Sequence, residues 1–316
     1  MKQTATIIRN TGSHYVGRLA DGLEVKYLAK GNFRIKGIRT TNPVAVGDCV
    51  ELSAPGPDGT AFITAIVPRR NYIIRKASNL SKAASIIAAN VDCAMLVATL
   101  AHPVTSFTFI DRFLATCEAY GVKGALVINK TDLLDEPEDA ELIDAVSYLY
   151  TSIGYPVFTV SALSGFGLDA LADFLRGKVT LLSGNSGVGK SSLINALIPG
   201  ASLRTAEISA AHDTGMHTTT FSEMYDLPGG GEIIDTPGVR GFGVVEFASE
   251  EVGHYFPEIF RISADCRFGN CTHTHEPGCA VLKPVEEHSI SESRYNSYMS
   301  ILEETADTDD KYRKKL

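Results

Sequence analysis

The chain has 316 residues, 44% of them hydrophobic, with six cysteines and a formal net charge of −8. No apolar run reaches the ~18 residues of a membrane-spanning helix, and the opening MKQTATIIRN lacks the apolar core of a secretory leader, so a cytoplasmic protein with reduced cysteines and no membrane partner is expected. The length exceeds one ordinary core and implies two or three domains.

Charge is unevenly spread. Residues 1–76 carry twelve Lys or Arg against five Asp or Glu, a net of +7 that leaves −15 for the remainder. A basic first domain on an acidic chain suits an acidic partner, RNA first among them. Alternation of apolar and polar residues at 4–8, 15–19, 23–28, 32–35, 46–52 and 61–67, broken by Asp21-Gly22, Gly47-Asp48 and Pro57-Asp58-Gly59, reads as short strands. Strands this frequent with no helix between them imply a small closed barrel over residues 1–70, of which the OB-fold is a common RNA-binding type. Arg69-Arg70 leads out of it, and residues 71–89 read as a linker that contacts either RNA or the next domain.

From residue 90 the texture changes to alternating strands and helices. Strands are expected at 91–98, 124–128 and 157–160, and helices at 107–120, 141–153 and 168–175, the pattern of a parallel sheet flanked by helices. Cys93 and Cys117 fall on core positions. The second strand runs into Asn129-Lys130-Thr131-Asp132, at the carboxyl edge where open α/β sheets bind ligands. Guanine presents a ring N–H beside an exocyclic NH₂, and one carboxylate, Asp132, can accept from both. The stem of Lys130 can lie along the purine face, and Asn129 can tie this loop to a phosphate loop. The third strand ends in Ser161-Ala162, whose backbone N–H can meet the guanine O6.

A strand at 179–182 then feeds Gly184-Asn185-Ser186-Gly187-Val188-Gly189-Lys190-Ser191-Ser192, which opens into a helical pattern at Leu193, Ile194 and Leu197. This is a P-loop in its required context. Backbone N–H groups and the positive helix end converge on phosphate oxygens, Lys190 reaches the outer phosphates, and Ser191 ligates Mg²⁺. Residues 201–217 have little periodicity and stand as switch I; one of Thr218, Thr219 and Thr220 is expected to add a hydroxyl to Mg²⁺, with Thr219 preferred. A strand at 221–227 and another ending in Asp235-Thr236-Pro237-Gly238 follow, so that Asp235 holds Mg²⁺ through water and the Gly238 N–H touches the γ-phosphate.

Near the C-terminus, Cys266, Cys271, His273 and Cys279 supply three thiolates and an imidazole, a closed tetrahedral set for one structural zinc, with His275 as the competing imidazole. Ser289-Ile290-Ser291-Glu292 reads as a capping box for a helix whose Tyr295, Tyr298 and Leu302 face a neighbouring domain.

Ordinary GTPases run P-loop, switch Thr, DxxG, NKxD, SA; here NKTD stands at 129, SA at 161, GNSGVGKSS at 184, HTTT at 217 and DTPG at 235, a circularly permuted order. With a strand-rich domain in front and a Cys/His cluster behind, the chain resembles the RsgA (YjeQ) family of small ribosomal subunit biogenesis GTPases over nearly its whole length. The resemblance implies a multidomain fold: an OB-fold barrel at 1–70, a permuted P-loop GTPase domain at 90–245 and a zinc-binding module with a helix at 246–316. It also implies a monomer that binds GTP and GDP, acts late in maturation of the small subunit, binds its rRNA and is stimulated by it. Val239 stands where many GTPases carry a water-orienting glutamine, and the family's switch I histidine maps onto His217, leaving His217, Lys190 and Thr219 as the expected catalytic groups. The competing expectation is a GTP-gated switch whose RNA or protein partner is not ribosomal.

Overall fold

The computed structural model describes residues 3–11, 14–29, 43–54, 61–75, 85–201, 203, 222–236 and 248–313. Five strands, β1 (Thr4–Asn10), β2 (Tyr15–Leu19), β3 (Glu24–Ala29), β4 (Cys49–Leu52) and β5 (Ala61–Ile66), pair in the order β1-β2-β3-β5-β4. The β1–β4 pairing closes the ring, and β3–β5 is its parallel step. Alternation places Ala5, Ile7, Tyr15, Tyr27, Val50 and Ile63 inside. The strand expected at 32–35 lies outside the described residues.

Residues 71–89, read from the sequence as a linker, hold an antiparallel pair, β6 (Tyr72–Arg75) and β7 (Ser85–Ala89). Gly47 docks the barrel on it. At φ +91, Gly47 occupies the left-handed region, and a Cβ there would stand 2.0 Å from the Ala89 carbonyl oxygen. The two arginines at the barrel exit are paired within the chain. Arg69 forks onto the fully buried Asp48, with both N···O distances 2.6 Å, and Arg70 reaches Asp92 at 2.7 Å, across to the next domain.

That domain carries β8 (Cys93–Ala98), β9 (Lys123–Ile128), β10 (Val157–Thr159), β11 (Val179–Gly184), β12 (Glu223–Asp226) and β13 (Glu232–Asp235) in the order β10-β9-β8-β11-β13-β12, parallel except for β12. Every residue of β8 is buried, and its alternate side chains enter opposite cores. Ala94, Leu96 and Ala98 pack under α1 (Phe107–Ala119) and α2 (Pro137–Ile153), whereas Cys93, Met95 and Val97 pack under α3 (Leu168–Leu175) and α4 (Lys190–Leu197). The two predicted core cysteines do pack there. Helix α2 starts four residues before the expected 141, because Glu136 and Asp139 form a capping box and Pro137 occupies the first turn, where its missing N–H costs nothing.

The barrel and this domain are not beads on a string. A register shift between Ile7 and Arg9 turns β1 so that Ile7 fills the barrel core and Ile8 the core under α1 and α2, and β1 then pairs with β12, Arg9 opposite Glu223. One eleven-stranded sheet results.

The C-terminal part comprises a 3₁₀ turn (Ser249–Tyr255), α5 (Pro257–Ser263), α6 (Leu282–Glu286) and α7 (Glu292–Arg313). Tyr298 and Leu302 are buried with Phe256, Ile259 and, from α1, Ala115, as the expected helix face requires. Ser289, expected to cap, instead donates to the Pro284 carbonyl at 3.1 Å. The residue that locks α7 down is Arg294, 1% exposed: it forks onto Glu258 at 2.6 and 3.1 Å and reaches Asp111 of α1 at 2.7 Å, while Tyr150 of α2 donates to the same Asp111 oxygen. Buried Arg294 and Asp111 and the partly buried Glu258 tie four helices to one another, although Asp111 Oδ2 has no hydrogen-bond partner among the described residues, and any of these charges left alone would be costly. Among the described residues no helix is long and apolar enough to cross a membrane.

Candidate functional site

Chain order runs β8, β9, β10 outward and then returns to β11 on the other side of β8, so the carboxyl ends of β8 and β11 border a topological switch point. Four pieces meet along this edge: the loops after β9, β10 and β11, and the end of β13. They carry Asn129 to Asp132, Ser161-Ala162, the 184–192 loop and Asp235, residues scattered through more than a hundred positions of sequence.

Asn129, 1% exposed, joins three of these pieces. Its Nδ2 donates to the Val188 carbonyl at 2.8 Å, and its Oδ1 accepts from the Ala162 N–H at 3.1 Å. Gly189 stands at φ +85, and a Cβ on it would fall 2.5 Å from Asn129 Nδ2, so only glycine permits this approach. Lys130 sits in the left-handed region at φ +63, and its Nζ donates to the His102 carbonyl at 2.7 Å, which extends its stem across the edge. Thr131 donates its N–H to the Val160 carbonyl at 3.3 Å, and Asp132 accepts from the Ser161 hydroxyl. The sequence reading gave Ser161-Ala162 only a backbone donor; the hydroxyl that aims Asp132, and the His102 carbonyl, were invisible to it because both are contacts between separate loops.

In the 184–192 loop, Gly184 closes β11, Asn185, Ser186, Gly187 and Val188 form the turn, and Lys190, Ser191 and Ser192 make the first turn of α4. Lys190 pairs with Asp235 Oδ1, and its Nζ also donates to the Thr236 carbonyl at 2.6 Å. Asp235 is fully buried, and its Oδ2 has no hydrogen-bond partner among the described residues. Burial pushes its carboxyl above the usual range, with Lys190 opposing. A buried carboxylate with one oxygen free is suited to a cation or its water shell, and a lysine with only Asp235 and a carbonyl to hold is suited to phosphate. His217, Thr219 and Gly238 lie outside the described residues.

The second constellation is Cys266, Cys271, His273 and Cys279, whose donor atoms lie within 4.8 Å of one another, as the spacing predicted. Cys266 Sγ and Cys279 Sγ stand 3.6 and 3.5 Å from His273 Nδ1. Burial, with neighbouring thiols adding to it, pushes the Cys271 thiol up to about 12, a cost that a bound cation removes. The Ala280 N–H points at Cys266 Sγ from 3.3 Å, which favours a thiolate. Around the cluster, the Glu276 carboxylate accepts from the N–H groups of Thr272, Thr274 and His275 and is held well below its usual range despite partial burial. His275 is outside the cluster, with Nδ1 2.8 Å from the Thr274 hydroxyl.

The family model described as RsgA GTPase matches residues 66–245. A curated relative from Bacteroides fragilis, "Small ribosomal subunit biogenesis GTPase RsgA", is 60% identical over 298 residues, 94% of this chain and 96% of that protein. The crystal structure of YjeQ from Thermotoga maritima superposes with a TM-score of 0.78 at 31% identity, covering 97% of this chain and 99% of that one. YloQ, described as a circularly permuted GTPase, gives 0.71 at 30% identity, covering 98% and 96%.

Proposed function

The chain belongs to the RsgA GTPase family and hydrolyses GTP in the biogenesis of the small ribosomal subunit, and from that premise we propose which of its residues do so and how. The carrying observation is Asn129, which bonds both the phosphate loop and the Ser161-Ala162 loop and so makes one site of three motifs. Asp132, aimed by Ser161, accepts from the guanine edge; Lys130 lies along the purine; Thr131, Ser161 and Ala162 complete the base pocket. The 184–192 loop wraps the phosphates, with Lys190 moving from Asp235 to the outer ones. Ser191, Thr219 and, through water, Asp235 would hold Mg²⁺, which supplies charge neutralisation between the outer phosphates when bound. Gly238 donates to the γ-phosphate. His217, in the place of the missing glutamine, orients or deprotonates the attacking water.

Asp132→Asn tests the base assignment. An amide loses one of two charge-assisted hydrogen bonds to guanine, worth about 1.5–3 kcal/mol, but can donate to the carbonyl that replaces the NH₂ in xanthine. GTP affinity should fall by roughly a hundredfold while xanthosine triphosphate gains; unchanged GTP affinity by equilibrium titration refutes the guanine site.

The barrel and the Cys/His module bind rRNA of the subunit, the chain acting as a cytoplasmic monomer, and subunit binding stimulates hydrolysis by placing His217 and Thr219. Arg9, Arg18, Arg69 and Arg70 are paired with carboxylates, which withdraws them from this task. Lys30, Arg34, Lys36 and Arg39 stand in residues 30–39 with no acidic residue among them, and this stretch is the RNA contact we favour. The cluster holds zinc: tetrahedral bonds of about 2.3 Å to sulfur and 2.0 Å to nitrogen require S···N edges of about 3.5 Å, the separations seen from His273. Cosedimentation with purified small subunits in a non-hydrolysable GTP analogue decides the partner, since a non-ribosomal switch would stay in the supernatant. His217→Ala should lose about a hundredfold of the subunit-stimulated single-turnover rate while keeping GTP affinity and cosedimentation; stimulation equal to wild type would leave His217 a packing residue.

A further inference from the structure

One row of backbone partners crosses from the barrel into the hydrolytic site. Arg9 of β1 stands opposite Glu223 of β12, Glu223 opposite Asp235 of β13, and Asp235 beside Leu182 of β11. Side chains directly opposite in neighbouring strands share a face, so Arg9, Glu223 and Asp235 project to the same side, that of α4. The contacts follow the row. Arg9 Nε donates to Glu223 Oε1 at 2.7 Å and its Nη2 to the same oxygen, while the Tyr225 hydroxyl donates to Oε2 at 2.9 Å. Glu223 is thus held at both oxygens, by a residue of the barrel and by one of its own strand. Beyond the row, Asn10 donates its N–H to the Ser222 carbonyl at 3.4 Å and Arg18 reaches Asp226 at 2.7 Å. The seam is narrow, one register pair wide, and at that pair Arg9 is the side-chain clamp, with Arg18 holding Asp226 at the far end of β12.

We propose that Arg9, a barrel residue, is a positioning residue for hydrolysis: it clamps Glu223 and, through the β12–β13 register, fixes where Asp235 stands. Because β1 belongs to both the barrel and the sheet, whatever grips the barrel shares a strand with this clamp. The inference rests on the reading of Asp235 as the carboxylate that serves Mg²⁺ and Lys190. Displacement of such a group by about 1 Å costs on the order of a hundredfold in rate, and a loosened strand should cost part of that.

The test uses the full chain with Arg9→Glu, Glu223→Arg and the double exchange. In metal-free, nucleotide-free protein, Arg9→Glu should raise amide hydrogen exchange at Ile233 and Asp235, whose N–H groups face β12, by roughly tenfold, and in single-turnover hydrolysis it should raise the Mg²⁺ concentration for half-maximal rate by roughly tenfold. The double exchange restores the clamp with reversed sign and should return both readouts towards wild type. Wild-type exchange and wild-type Mg²⁺ dependence in Arg9→Glu overturn the proposal, and so does a defect that the double exchange leaves untouched, since that marks general damage to the seam. Asp235→Asn is measured in parallel. If it hydrolyses GTP with unaltered Mg²⁺ dependence, the reading of Asp235 fails, whereas the exchange measurement still decides whether Arg9 orders β13.

Discussion

Lys190→Ala is expected to lower the rate of GTP hydrolysis by on the order of a thousandfold, ~4 kcal/mol of transition-state stabilisation. The magnitude follows from geometry and from the lack of a substitute. Lys190 opens α4 directly after the left-handed Gly189, so its Cα is set by the loop proposed to wrap the phosphates. Its side chain is 10% exposed and its ammonium already sits against Asp235 and the Thr236 carbonyl, so little further reorganisation is needed when phosphate arrives. The other lysine of the site, Lys130, is committed to the His102 carbonyl. Charge that develops on the transferring phosphoryl oxygens would then meet backbone dipoles and Mg²⁺ alone. Single-turnover hydrolysis of γ-labelled GTP measures the loss, and a wild-type rate would remove the phosphate loop from the mechanism.

Cys271→Ser should abolish zinc binding and loosen the C-terminal module. Elemental analysis is expected to find one zinc per chain in the wild type and none in the variant, because a serine hydroxyl is not ionised near neutral pH and is a poor replacement for thiolate. Apparent binding energies of structural zinc reach ~10 kcal/mol, enough to decide whether so small a core is folded. The cluster is built into that core: the Tyr295 hydroxyl donates to the His273 carbonyl at 2.7 Å and the Tyr298 hydroxyl to the Thr272 carbonyl at 2.5 Å, which ties the loop to α7. Loss of zinc should therefore increase hydrogen exchange along α7, and GTP should still bind, since the two sites share no residue. Zinc retained in the variant would show that the ligand set is wrong.

The motifs of both candidate sites were legible in the sequence because each is a local arrangement. A phosphate loop needs glycines at fixed spacing so that successive amides converge, and a tetrahedral cluster needs donors close along the chain; both demands are met within about ten or fifteen residues and survive without knowledge of the fold. The barrel and the α/β domain were legible for the same reason, through periods of two and 3.6 residues. The region from 71 to 89 was not, since β6 and β7 are short strands whose partner is each other and whose burial is supplied by Gly47 and the next domain. Arg69 and Arg294 were misleading or silent, because an arginine in a sequence reads as solvent-facing until a buried carboxylate is found for it.

By itself, then, the sequence determined which motifs this chain carries: NKTD, a P-loop, DTPG, four clustered metal donors, and a permuted order that leaves the sheet intact. Only the tertiary structure decided how these parts bear on one another. Arg9 finds Glu223 across 214 residues and Arg294 finds Asp111 across 183. Such partners are chosen by strand register and helix packing, which depend on the summed burial of many side chains and leave no mark in the spacing of any one segment.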